Sequence, residues 1–213
     1  MRNYLVEFIG TFFLVLVIGL TSINPGTGVI APLAIGAVLM VMIYAGGHLS
    51  GAHYNPAVTI AAWIRGKCPS KDVLPYIASQ VLAGIIAATI VTFLKQPTSV
   101  SEASLATFPA LVTEFLFTFA LVYVVLNTTT SKQTEGNSYY GLAIGFTIMV
   151  GAFAGGPISG GVYNPAVAVG ISTMGLSAWN NLWIYLLGTI AGGSTGALVY
   201  KVCLLYTSPS TRD

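Results

Sequence analysis

The chain has 213 residues, of which 55% are hydrophobic and only 7% charged, with a formal net charge of +2. An ordinary soluble domain is about 25% charged, so this composition excludes a water-solvated surface and points to lipid as the solvent. The charge is too small to suggest a nucleic-acid partner, and the two cysteines, Cys68 and Cys203, give neither a disulfide framework nor metal-ligand spacing.

Six apolar segments follow in chain order: Tyr4–Leu20, Val29–Ala45, Val73–Leu94, Phe108–Leu126, Tyr139–Phe153 and Leu182–Leu205. Directly, or through uncharged polar flanks, they approach the roughly 20 residues that a helix needs to cross the hydrocarbon. The first reads as a mature helix rather than a signal peptide, because no A-x-A-like site follows it and Glu7 interrupts it. With Arg2 inside, alternating helices place Arg65, Lys67, Lys71, Lys132, Lys201 and Arg212 inside as well and leave only Lys95 outside. That bias predicts cytoplasmic termini. The polar tail 206–213 fits this pattern poorly, resembles translated adapter sequence and has no place in the functional reading.

The chain repeats itself. SGAHYNPAV (Ser50–Val58) and SGGVYNPAV (Ser159–Val167) lie 109 residues apart, and the same offset relates Tyr76 to Tyr185 and Gly84 to Gly193. EFIGTFFLV from Glu7 resembles EFLFTFALV from Glu114. Two units of three crossings each, about 1–97 and 108–205, make one domain over 1–205. An odd number of crossings inverts the second unit, an arrangement found in transport proteins with a site at mid-membrane.

Each Asn-Pro-Ala triplet precedes an apolar run too short to span, AVTIAAWI from Ala57 and AVAVGIS from Ala166. Asn is a favoured N-cap and Pro suits the first helical position, so Asn55-Pro56-Ala57 and Asn164-Pro165-Ala166 predict the starts of two half-helices. Glycines ahead of each triplet (Gly46, Gly47, Gly51; Gly155, Gly156, Gly160, Gly161) predict re-entrant loops, tolerated at membrane depth only against protein or a wet cavity. Inversion lets the two half-helix N-termini meet near the midplane. Each carries roughly half a positive charge, a barrier to cations, while the asparagine amides can donate to a passing oxygen. The predicted fold is therefore all-α and membrane-embedded, with six transmembrane helices and two re-entrant half-helices from an inverted repeat.

With these motifs, EFIGTFFLV, GHLSGAHYNPAVT from Gly47 and SGGVYNPAV, the sequence resembles the aquaporin family, also called major intrinsic proteins, over about residues 1–205. The resemblance implies a homotetramer with one pore per subunit, passing water or small uncharged solutes without a cofactor. Its four-residue selectivity filter falls, by counting from the motifs, on Ile35, Ala152, Gly161 and Val167. Ala152 could slip by one, to Gly151. Water channels usually place an aromatic at the first position and His at the second, and most members place Arg where Val167 stands. That Arg narrows the pore and adds an electrostatic barrier. Its replacement by Val predicts a wider, less polar constriction, open to water and to solutes such as urea, ammonia, glycerol or peroxide.

Glu7 and Glu114 are the acidic residues inside spanning segments, where carboxylates are costly. The resemblance makes them supports for the two motif loops. The alternative is a proton-coupled secondary transporter that uses them as relays. His53 is expected near the cytoplasmic pore mouth, supporting its loop, with a pH-gating role as the alternative. Neither His53 nor His48 has a neighbouring acidic or thiol partner that suggests a metal. No nucleophile–base pair or phosphate loop suggests an enzyme. Short loops and termini point to a plasma (inner) membrane.

Overall fold

The computed structural model describes residues 1–100, 102 and 104–207, the side chains of 204–207 apart, so the polar tail from 208 onward lies outside the described residues. Among the described residues, six helices are long and apolar enough to span a membrane. They are α1 (Arg2–Ser22), α2 (Ala31–Ser50), α4 (Ser70–Lys95), α5 (Thr107–Thr130), α6 (Tyr140–Ser159) and α8 (Leu182–Thr207). Between them lie two nine-residue half-helices, α3 (Pro56–Ile64) and α7 (Pro165–Thr173). Large apolar side chains such as Leu5, Phe93, Phe108, Val150 and Leu198 are more than half exposed, while Glu7 and Glu114 are fully buried. That is the inverse of a water-soluble surface and suits a lipid one.

The packing repeats with the sequence. In the first unit α1 packs on α2 and α4, and in the second α5 packs on α6 and α8. The units meet where α2 crosses α6. There Gly36 and Gly145 stand face to face: a Cβ on Gly36 would lie 2.7 Å from the Gly145 carbonyl oxygen, and the reverse distance is 2.6 Å. Small residues permit this approach, which in lipid supplies van der Waals contact in place of a hydrophobic drive.

The half-helices exchange partners. α3 packs on α8 of the other unit and α7 on α4. Glycine again sets the distance, since a Cβ on Gly84 of α4 would come within 2.6 Å of the Ala166 carbonyl oxygen. On α8, one on Gly193 would meet Ala57 at 3.4 Å. The alanine of each triplet is thus the residue on which the opposite unit's third long helix rests.

One expectation needs correction. Gly46, Gly47, Gly155 and Gly156 belong to the last turns of α2 and α6, not to the re-entrant loops. A Cβ on Gly46 or Gly155 would collide with the hydroxyl of Tyr54 or Tyr163. These two glycines therefore make room for a buried tyrosine, and the loops proper begin only at Gly51 and Gly160.

Candidate functional site

Each re-entrant loop turns through left-handed backbone. Gly51, Ala52 and Tyr54 have φ of 89°, 49° and 50°, and their counterparts Gly160, Gly161 and Tyr163 have φ of 90°, 67° and 51°. Such values are costly for residues with a Cβ, and they persist only when the surroundings over-determine them. A buried carboxylate does so here. Glu7 accepts from the backbone N–H of His53 (3.0 Å) and Tyr54 (2.7 Å) and from the Ser50 hydroxyl (2.7 Å). Glu114 accepts from Val162 N–H (2.9 Å), Tyr163 N–H (2.6 Å) and the Ser159 hydroxyl (2.7 Å). Successive amides in a turn with left-handed residues make a concavity for an anion, and the glutamates fill it.

Four tyrosines complete the frame. Tyr54 and Tyr163 donate to the carbonyls of Met42 (3.0 Å) and Gly151 (2.8 Å) on the helices just left behind. Tyr76 and Tyr185 donate to the carbonyls of Ser50 (2.9 Å) and Ser159 (3.0 Å), which end those helices. The 109-residue spacing of Tyr76 and Tyr185 is visible in the sequence, but their targets are not. Gln80 was not anticipated at all: fully buried on α4, it donates to Glu7 Oε2 (2.8 Å) and to the Thr59 hydroxyl (3.0 Å). It carries no repeat signature, because residue 189 is Thr.

With the loops fixed, the triplets face each other. Asn55 and Asn164 are the N-caps of α3 and α7, their side-chain oxygens accepting from Ala57 N–H (2.8 Å) and Ala166 N–H (2.9 Å). Pro56 and Pro165 occupy the first helical positions, where no N–H is missed. One amide N–H of each asparagine is already used. Asn55 donates to the Tyr163 carbonyl (2.9 Å) and Asn164 to the Tyr54 carbonyl (2.8 Å). An amide nitrogen has two protons, so each asparagine keeps one beyond this bond.

A cavity of about 690 Å³ runs past this point. Its wall includes Lys67, Lys132 and Glu135, from the segments that follow α3 and α5, together with His48 and His53. Asn55 and Asn164 line it as well, each with the equivalent valine three residues on, Val58 and Val167. Ile35, Ile148 and Gly161 add apolar wall. Of the four expected filter positions, Ile35, Gly161 and Val167 line the cavity, whereas Ala152 does not. Ala152 instead lies behind Gly161, its Cα 3.2 Å from where a Gly161 Cβ would be, and Ile148 one turn earlier on α6 lines the cavity. Gly151 packs away from the cavity against Tyr163 and Phe117, so the one-residue slip is not seen.

Six spanning helices and two half-helices meeting at their N-termini along a cavity define a channel-type membrane protein. The sequence matches the family model described as Major intrinsic protein over residues 1–200. It is 35% identical to Aquaporin NIP1-4 of Oryza sativa subsp. japonica, across 96% of this chain and 78% of that protein. It is 33% identical to Putative aquaporin NIP4-1 of Arabidopsis thaliana, across 100% of this chain and 77% of that protein. The solved aquaglyceroporin from Plasmodium falciparum shares the fold, with a TM-score of 0.80 over 96% of this chain and 97% of that one at 21% identity. The chain belongs to the major intrinsic protein family, the aquaporins. It is an integral membrane protein and a passive channel for water and small solutes, not an enzyme.

Proposed function

We propose that this channel is permissive, passing water together with urea, ammonia, glycerol or peroxide, and that it excludes ions and protons at the paired half-helix ends. The observation that carries this reading is the wall around Val167. Ile35, Ile148 and Gly161 line the cavity together with Val167, and among the described residues its charged lining, Lys67, Lys132 and Glu135, comes from the segments after α3 and α5. An apolar wall without a guanidinium supplies neither the narrowing nor the fixed donors that reject solutes larger than water. Ion exclusion falls instead to α3 and α7, whose N-termini each present about half a positive charge toward the Asn55–Asn164 pair.

In this reading Ile35, Ala152, Gly161 and Val167 form the filter, with Ala152 acting as backing for Gly161. Glu7, Glu114 and His53 support the loops. The basic residues Lys67, Lys71 and Lys132 mark the cytoplasmic face of a plasma (inner) membrane, with both termini on that side. The protein assembles as a homotetramer, as its family resemblance implies.

Stopped-flow light scattering on proteoliposomes tests the filter. Water, urea and glycerol fluxes are expected above those of empty vesicles, with ammonia entry followed by an internal pH dye. Fast water flux with all three solutes at background overturns the permissive reading.

A further inference from the structure

Thr59 sits one turn into α3 and is fully buried. Its hydroxyl oxygen lies near three groups: the Asn55 carbonyl (3.1 Å), the Gln80 amide nitrogen (3.0 Å) and His53 Nδ1 (3.1 Å). A hydroxyl has one proton and two lone pairs. The proton goes to the Asn55 carbonyl, the i−4 acceptor that helical threonines use. Gln80 must donate, because the same amide end also faces Glu7 Oε2, which accepts from Tyr54 N–H as well. The remaining lone pair meets His53, so Nδ1 has to carry a proton. Nε2 lies on the other edge of the ring, 3.4 Å from where a Gly51 Cβ would be, and both Gly51 and His53 line the cavity.

We infer that Thr59 and Gln80 lock His53 as the Nδ1–H tautomer, leaving Nε2 in the conduit wall as an acceptor that favours solutes with N–H or O–H protons to donate. This rests on the channel reading and adds a specificity-determining residue to it. Asn55 and Asn164 offer donors at the centre of the conduit, and His53 offers the complementary acceptor on the basic side. The second unit has no such relay. The residues equivalent to His53, Thr59 and Gln80 are Val162, Ala168 and Thr189, and Thr189 turns its hydroxyl to the Tyr185 carbonyl of its own helix (2.7 Å). The acceptor therefore stands on one side of the asparagine pair only.

The test combines a tautomer measurement with a flux ratio. Nitrogen-15 histidine NMR is recorded on proteoliposomes at about pH 8, above the ordinary histidine pKa of ~6.5. His48→Gln leaves His53 as the single imidazole. The Nδ1–H signature is expected, with Thr59→Ser keeping it and Thr59→Val giving a mixture. An Nε2–H signature in the parent, or an unchanged one in Thr59→Val, overturns the lock. In stopped-flow, Thr59→Val should lower urea permeability relative to water about two- to tenfold, the scale of one lost hydrogen bond. Thr59→Ser should restore it. An unchanged ratio despite a switched tautomer overturns the acceptor role. His53→Phe fills the space without a ring nitrogen and must lower the same ratio even if Thr59→Val fails to insert. An unchanged ratio there overturns the role as well. A parent protein that passes water but no urea overturns the permissive filter instead, and the NMR result still decides the lock.

Discussion

Asn55 reaches across the repeat boundary to the Tyr163 carbonyl, 2.9 Å away, while its side-chain oxygen caps its own half-helix. One side chain thus does two jobs that need opposite ends of an amide. Asn55→Asp keeps the capping oxygen, which helix N-termini favour, but sets a second carboxylate oxygen against a carbonyl. The cross-link becomes a repulsion inside a buried site. The variant is expected to lose about 1–3 kcal/mol of stability, read as a lower midpoint of thermal unfolding in detergent. Asn164→Asp should do the same through Tyr54. Unfolding midpoints equal to the parent's would show that the bridge between the units contributes nothing.

Gly84 carries a second prediction. A Cβ there meets the Ala166 carbonyl oxygen at 2.6 Å, backbone that cannot swing aside as a side chain could. Gly84→Val should push α7 away from α4 and shift the capped end of that half-helix. The cost expected for overpacking is about 1–3 kcal/mol, and water flux per inserted protein should fall with it. Gly47→Ala is the control, because a Cβ there meets only the Tyr140 ring at 3.6 Å, an ordinary contact. If Gly84→Val conducts and melts like Gly47→Ala, the close approach has no functional weight.

Much of this architecture is legible in the sequence, because the forces that set it are local or periodic. Six apolar runs give the spanning helices, and Asn-Pro gives each half-helix start to the residue. Glycine is the ambiguous letter. Gly46 and Gly155 look like loop residues, yet they are helical and clear space for Tyr54 and Tyr163, which the chain brings back eight residues later. Gln80 was invisible for a different reason. Its partners Glu7 and Thr59 are 73 and 21 residues away, and nothing in spacing links a glutamine in one helix to them. Ala152 shows the limit of counting from a motif: the count reaches a residue that Gly161 separates from the cavity, and Ile148 one turn earlier lines it instead.

The two glutamates differ by one bond, and that difference is measurable. Glu7 receives four hydrogen bonds because Gln80 adds one, whereas Glu114 receives three. A glutamine at either position turns an amide donor toward a loop N–H that needs an acceptor. At position 7 the new donor faces both Tyr54 N–H and the Gln80 amide, so Glu7→Gln should destabilise more than Glu114→Gln. Losses of about 2–5 kcal/mol are expected for uncompensated buried groups of this kind. Thermal unfolding of the two variants in the same detergent gives the order. Because both carboxylates are fully buried and engaged with their loops, flux through the parent should not respond to an imposed proton gradient. Solute accumulated uphill at the expense of such a gradient would restore a relay role for Glu7 and Glu114.

The residue after the second triplet offers the sharpest test of selectivity. Val58 and Val167 are equivalent, both line the cavity and both are almost fully buried. Each asparagine is therefore followed by an equivalent apolar residue in the cavity wall, and a cation at 167 would break that likeness. Val167→Arg places a guanidinium across from Ile35 and Gly161, where it takes up width and offers fixed donors. Water can lose one neighbour and gain the guanidinium, but urea or glycerol must fit its whole body past the same group. Solute permeability is thus expected to fall about tenfold or more, equivalent to roughly 1.4 kcal/mol of added barrier, while water flux falls much less. Val167→Leu separates size from charge: it narrows the passage without donors, so it should lower solute flux less than Val167→Arg. Equal losses of water and solute in Val167→Arg would mean that the substitution plugs the conduit, and the constriction that selects solutes would then lie elsewhere along the wall.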